Sequence, residues 1–414
     1  MAEKQPMITF LYYLFFNISA IVFVWPANQT RDVHKLVEPD MKTTRIEPKG
    51  VCDKKSDPIT DDILLLVVVC SAVGNVQQRQ TIRETWARDQ VNMDDVKVVF
   101  MLGNSFNDTK QQEVINESEQ YGDIVQESFL DTYANLTVKS LMLLKWFTTS
   151  CKGIVVSYLK IVITHQNIIF FMLSIYVIML CLILDVSYVM KTDDDMYINI
   201  QQLYELLARN GVPHLLTGAL ICGAKPIRDP HNKWHSPHYM FQGHVYPDYV
   251  SGTGYLMSYS AAMILFKMSL TVPAFHLEDV YITGILPSKL SELAAKEARN
   301  KDPNKSSSKT SSSLSPSDPK DLVVVKPKDD YRFSFFPAKD DPCVYHKIIS
   351  SHHISMKQIR TMYAKVLKVR LKPKECPALK PKQLRPYSPG RCMSTLKLKQ
   401  LKKLQSQLSM KKPK

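Results

Sequence analysis

The chain has 414 residues, 45% of them hydrophobic and 22% charged, and Lys plus Arg outnumber Asp plus Glu by 53 to 39. This composition excludes an intrinsically disordered protein and allows one large domain or two ordinary ones. The formal charge of +14 does not point to a nucleic-acid partner, because the excess gathers in a Pro-broken, nearly acid-free tail, 369–414, with no aromatic ladder for stacking bases.

Behind a short tail, 1–6, the run "MITFLYYLFFNISAIVFVW" from Met7 to Trp25 is uncharged and about the length of a membrane-spanning helix. The following "VWPANQT" offers only Ala27 as a small cleavage-site residue, so the run reads as a retained signal-anchor, 7–25. Polar residues 26–60 read as a stem holding a domain off the membrane. Sequons at Asn28, Asn107 and Asn116 suit exposure to the glycosylation machinery. The eight cysteines show neither CxxC pairs nor zinc-type spacing, so one to three disulfides or buried free thiols both fit.

From Ile63 to Cys70 the chain is a continuous Leu- and Val-rich run, the pattern of a strand buried on both faces of a parallel sheet. A helical pattern follows in "NVQQRQTIRETWAR", then a second buried strand in "VKVVFMLG", which together make a βαβ unit. A further helix and short strand, the long helix "ANLTVKSLMLLKWFTTSC" and the strand "VSYVMK" complete an α/β expectation over 61–298. Two segments interrupt it. The insertion 152–185 contains an apolar stretch close to a membrane span in length, but a single sheet cannot assemble across a bilayer. It reads as an intruding sequence such as an unspliced intron, with a helical insertion as the alternative. The Ser/Lys/Pro-rich loop 299–330 cannot pack a core, and the domain resumes over 331–368.

"YVMKTDDDMYINI" ends a buried strand on three adjacent carboxylates, Asp193, Asp194 and Asp195. An acidic run is often a solvated turn, but apolar residues resume at Met196. Confined carboxylates repel one another unless a cation compensates, and oxygen ligands suit magnesium or manganese. Ligands in α/β sheets bind beyond the carboxyl ends of strands, where these residues fall. No P-loop motif is present, and a metal-held diphosphate suits glycosyl transfer. "FHLEDVYITGIL" supplies Glu278 and Asp279 as candidate general bases, although a charge pair at a helix N-terminus is the alternative.

The motifs "RQTIRETW", "VFMLG", "YGDIVQESFLDTYANLTVKS", "YVMKTDDDMYIN", "KPIRDPHNKW", "YPDYVSGTGYLMS" and "EDVYITGI" occur in one order. In that order they resemble the β-1,3-galactosyltransferase family, glycosyltransferase family 31. The resemblance spans roughly 63–286, with "CVYHKIISSHHIS" after the low-complexity loop. It implies a Rossmann-like GT-A domain behind a single N-terminal transmembrane helix, in the Golgi lumen as a type II membrane protein. It also implies a manganese-dependent, inverting transfer of galactose or N-acetylglucosamine from UDP-galactose or UDP-N-acetylglucosamine to a 3-hydroxyl of a glycan acceptor.

By motif, Asp195 is the implied direct metal ligand, Asp193 lies nearer the ribose, and Asp279 is the base. Arg79, Arg83 and Lys191 are candidates for nucleotide and phosphate contacts. Trp234, Gly252, Gly254 and Tyr255 are expected to shape the sugar and acceptor pocket, Asn135 to stay unmodified, and His352 to make a metal-side or phosphate contact. The chain departs from the family pattern in the insertion after Cys151, the long Ser/Lys loop and the basic tail. If translated, the insertion could stop the sheet from forming and leave an inactive homologue.

Overall fold

The computed structural model describes residues 24–52, 64–93, 95–105, 107–151, 188–209, 214–300, 324–385, 387, 390 and 392. All but the last two residues of the anchor run, the whole insertion 152–185, most of the loop 299–330 and the end of the basic tail lie outside these residues. No described helix is long and apolar enough to cross a membrane.

The strands are β1 (Thr44–Ile46), β2 (Leu65–Cys70), β3 (Val96–Asn104), β4 (Ile124–Leu130), β5 (Tyr188–Asp193), β6 (Tyr197–Ile198), β7 (Leu216–Ile221), β8 (Tyr249–Ser258), β9 (Lys328–Asp329) and β10 (Ser350–Ser351). Eight of them form one mixed sheet in the order β1-β4-β3-β2-β5-β8-β7-β9. Its centre, β4-β3-β2-β5, is parallel, while β8 runs antiparallel between β5 and β7. The expected α/β class is therefore found, with a large, mostly parallel sheet. Side chains alternate along β2, so Leu66, Val68 and Cys70 enter one core and Leu65, Val67 and Val69 the other. That two-sided burial is why the strand reads as an unbroken apolar run.

The helices are α1 (Val33–Val37), α2 (Val76–Glu84), α3 (Asp108–Tyr121), α4 (Leu136–Ser150), α5 (Ile200–Arg209), α6 (Tyr259–Ser269), α7 (Leu286–Asn300), α8 (Pro342–Lys347), α9 (Met356–Leu371) and α10 (Pro381–Leu384). Helices α4 and α6 cover one sheet face, and α2, α5 and α9 the other. Local sequence sets their ends. Asn107 accepts from Lys110 N and Gly122 (φ 65°) closes α3, while Ser355 and Gln358 form a capping box on α9.

The segment read as a stem differs from that reading over its described part. Trp25 and Val33 are buried against the domain, β1 pairs with β4, and Lys145 Nζ donates to the carbonyls of Val37, Glu38 and Met41. Polar composition concealed this because a few buried side chains and one lysine capping the end of α1 anchor the whole stretch. The domain also continues past 368. Leu384 is buried, Arg385 pairs with Asp329 at 2.6 Å, and Cys376 and Cys392 form disulfides with Cys343 and Cys222. A third disulfide joins Cys52 to Cys151, leaving buried Cys70 as the described free thiol.

The sheet is complete on either side of the insertion. Helix α4 ends beside the Cys52–Cys151 disulfide, and Tyr188 N donates to Leu64 O at 2.8 Å where β5 begins. Both junctions precede the strand, whereas the acidic triplet follows it.

Candidate active site

Parallel pairing of β2 with β5 sets Cys70 opposite Asp193, so the triplet emerges at the carboxyl edge of the sheet beside the loop 71–75. The turn after it is held from two sides. The Trp86 indole donates to Met196 O at 3.0 Å, and Ile354 N donates to Asp195 O at 3.1 Å. Antiparallel pairing of β6 with β10 matches Tyr197 with Ser351, so the next two residues, His352 and His353, arrive beside Asp195. The His352 Nε2 to Asp195 Oδ2 distance is 3.3 Å and the His353 Nδ1 distance is 4.0 Å.

The three carboxylates do not converge on one point, which corrects the picture of a three-aspartate clamp. Asp194 Oδ2 accepts from Ser71 Oγ at 2.6 Å and from Asn75 Nδ2 at 2.9 Å. Asp193 Oδ1 accepts from Lys191 Nζ at 2.6 Å, and burial pushes its pKa up despite that cation. Burial would also raise Asp195, but His352 outweighs it and holds the carboxyl below its ordinary range. His352 is raised against its own burial, with the bond to Asp195 as the main opposing cause.

Among the described residues, ligand atoms of Asp195, His352 and His353 lie within 4.8 Å of one another. Adjacent ligands on an octahedral ion stand roughly 3 Å apart. The 3.3 Å separation of Asp195 and His352 is close to this, and carboxylate plus imidazole is a donor set that manganese accepts, so the residues fit such an ion.

Lys191 is not free to meet a phosphate. Its buried ammonium donates to Asp193 and to Gly252 O and lies 3.8 Å from Glu278 Oε2. Burial alone would lower its pKa, but these carboxylates push it up, so it stays charged. Gly252 in turn donates its N–H to Asp279 Oδ2 at 3.0 Å, while Asp279 Oδ1 accepts from Val280 N at 2.8 Å. Asp279 thus caps the helical turn Val280–Ile285, and the helix-end alternative and the placement near the triplet both describe it. Burial raises its pKa against these backbone hydrogen bonds. Glu278 points inward, accepts from Tyr255 OH at 2.6 Å and is raised by burial to about 7.

Gly252 has a steric reason. A Cβ there would stand 2.9 Å from Glu278 Oε2 and 3.1 Å from Asp279 Cβ. Gly254, opposite Thr192, would bring a Cβ 3.3 Å from Met190 Cε. Tyr255 is fully buried and serves Glu278 rather than lining an open pocket.

Arg79 and Arg83 are likewise committed elsewhere, contrary to the expectation of nucleotide contacts. Arg79 is buried, binds Glu117 through Nε and Nη2 at 2.9 and 2.7 Å, and donates to Ser71 Oγ, Ala72 O and Val73 O. All five donors are used, and through Ser71 it supports Asp194. Arg83 binds Asp123 at 2.8 Å and stacks on Tyr121 at 4.0 Å. The "RQTIRETW" pattern therefore marks an internal clamp on the loop after β2.

Trp234 is half-exposed, with Lys233 Nζ 4.5 Å above its ring. Sequence reasoning missed Tyr133, which hydrogen-bonds Trp234 and feels the charges of Asp279 and Asp193. A tyrosine within the polar stretch "DTYAN" was the available signal. His353 was also missed, although it adjoins His352 and its φ of 61° marks a shaped turn. Asn135 spends Nδ2, the atom a glycan would take, on Leu130 O at 2.9 Å.

The sequence profile described as galactosyltransferase matches residues 77–162 and 159–293. The chain belongs to this family. It is 29% identical over 314 residues to beta-1,3-galactosyltransferase 2 of Homo sapiens, covering 74% of this chain and 58% of that protein. It is 34% identical over 231 residues to beta-1,3-galactosyltransferase 1 of Mus musculus, covering 55% and 60% respectively. The matches therefore span under two thirds of these relatives' lengths. The two matched stretches overlap at 159–162, within the apolar insertion.

Proposed function

We propose that the chain is a GT-A-type, UDP-sugar-dependent β-1,3-hexosyltransferase that moves galactose, or N-acetylglucosamine, to a 3-hydroxyl of a glycan acceptor with inversion. The observation that carries this reading is a pair of acidic centres joined across one strand end. Asp195 with His352 forms one, Asp279 forms the other, and hydrogen bonds from Asp193 through Lys191 and Gly252 tie Asp279 to the strand end that carries Asp195. The relatives' names supply the linkage and the sugar.

Asp195, His352 and His353 would hold manganese, which when bound supplies Lewis-acid stabilisation of the departing diphosphate. Asp279 takes the proton of the acceptor hydroxyl as the new C–O bond forms and the bond from the sugar to UDP breaks. Each of its oxygens accepts one backbone N–H and keeps lone-pair capacity for that proton, and its raised pKa makes it a stronger base. An anchor at 7–25 would place the domain in the Golgi lumen, and three disulfides suit that oxidising compartment.

The test is UDP release by the purified chain with manganese and each UDP-sugar in turn. Asp195→Ala abolishes manganese-dependent release, and unchanged turnover removes the metal assignment. Asp279→Asn preserves UDP binding while slowing transfer, whereas equal loss of both counts against the base. The division of the family match into two stretches at the insertion favours a second reading, an inactive homologue. A chain silent with every donor but active once 152–185 is deleted would establish it.

A further inference from the structure

The uncharged run that reads as an anchor ends on a residue already locked into the domain. Trp25 is 2% exposed, its indole donates to Ala134 O at 2.9 Å, and its carbonyl accepts from Tyr239 OH at 2.7 Å. No spacer separates that run from the folded surface. Around this point lie Tyr133, Trp234 and Tyr239, respectively 41%, 49% and 49% exposed. They are linked to Trp25 by contact. Tyr239 binds it directly, Tyr133 adjoins Ala134, and Trp234 hydrogen-bonds Tyr133. Lys233, exposed, stacks on Trp234. Tyr and Trp beside lysine is the composition of a protein surface at the headgroup level of a bilayer, where an amphipathic ring meets both lipid and water. The 2.7 Å hydrogen bond between His276 Nε2 and His235 O joins the loop carrying Trp234 to the segment that leads into Glu278 and Asp279, so the patch borders the candidate site.

We propose that this aromatic face rests on the lipid bilayer, so that the mouth of the active site opens at the membrane surface. The proposal rests on the anchor reading of 7–25. Because the uncharged run is continuous in sequence with Trp25, which this face holds, the face stays next to wherever the anchor enters the bilayer, which favours lipid over a soluble protein as its occupant. The acceptor class that follows is a sugar displayed close to the membrane, as on a lipid-linked glycan.

The test places a nitroxide on the full-length chain in lipid nanodiscs at Lys233→Cys or at His238→Cys, the exposed position next to Tyr239. The control is Leu371→Cys, 84% exposed on α9, which packs on the opposite face of the sheet from Trp25. Accessibility to a water-soluble nickel chelate several-fold lower at 233 and 238 than at 371 supports the proposal. Equal accessibility, in chain that resists alkaline carbonate extraction, overturns it. Extraction by carbonate overturns the anchor and this inference together, while UDP release still reports separately on the catalytic reading. Brominated lipids give a second measurement on the unsubstituted chain. Quenching that falls in Trp234→Leu relative to the unsubstituted chain supports contact, and quenching left unchanged by that substitution refutes it.

Discussion

Glu278→Gln probes the buried electrostatics of the site most directly. Burial raises this carboxyl from its ordinary 4.5 to about 7, although Lys191 lies 3.8 Å away. The rise corresponds to about 3 kcal/mol of preference for the neutral form in the folded chain. Because the folded state binds this proton more tightly than the unfolded state does, the stabilisation is fully present below about 4.5 and is lost as pH rises to about 7. Glutamine is neutral at every pH and keeps an oxygen for the 2.6 Å bond from Tyr255 OH, so it removes the loss without removing the hydrogen bond. Thermal unfolding of both chains from pH 4.5 to 8.5 isolates the residue, since other titrations are common to the two curves. The stability difference should grow by about 3 kcal/mol in favour of the variant across that window, several degrees of melting temperature at about 2–4 °C per kcal/mol. Parallel curves would refute the burial argument and show Glu278 binding its proton no more tightly in the folded chain than in the unfolded one.

Gly252→Ala should push Glu278 and Asp279 apart, costing about 1–3 kcal/mol of stability and most of the transferase activity, as read by melting and by UDP release. Arg79→Met leaves the buried Glu117 carboxylate with Arg83 as its one remaining cation and should destabilise by about 2–3 kcal/mol in denaturant titration. Ser71→Ala, which removes one donor from Asp194, should cost only about 1 kcal/mol. Lys145→Met uncaps the carbonyls at 37, 38 and 41, so limited proteolysis should cut within 24–52 of the variant and spare the parent chain.

Much of the central sheet was legible in the chain itself. Strands buried on both faces must be apolar at every position, so β2, β3 and β5 announced themselves, and a carboxylate run at the end of one of them pointed to the working edge. The partner assignments were not legible, because they depend on pairings between distant segments. The register of β6 with β10 carries His352 and His353 to Asp195 across more than a hundred and fifty residues. A buried glutamate, Glu117, claims Arg79 and Arg83, two cations that composition alone would offer to a phosphate. The N-terminal and C-terminal extensions look like spacer and tail because a handful of anchors, Trp25, Lys145 and two disulfides, hold long polar stretches whose pattern carries no period. Sequence by itself therefore determined the strands, their buried faces and the family, since those follow from local periodicity and ordered motifs. Tertiary structure alone decided which charges face each other, because an ionisable side chain takes its role from what burial and distant strands bring within hydrogen-bond reach.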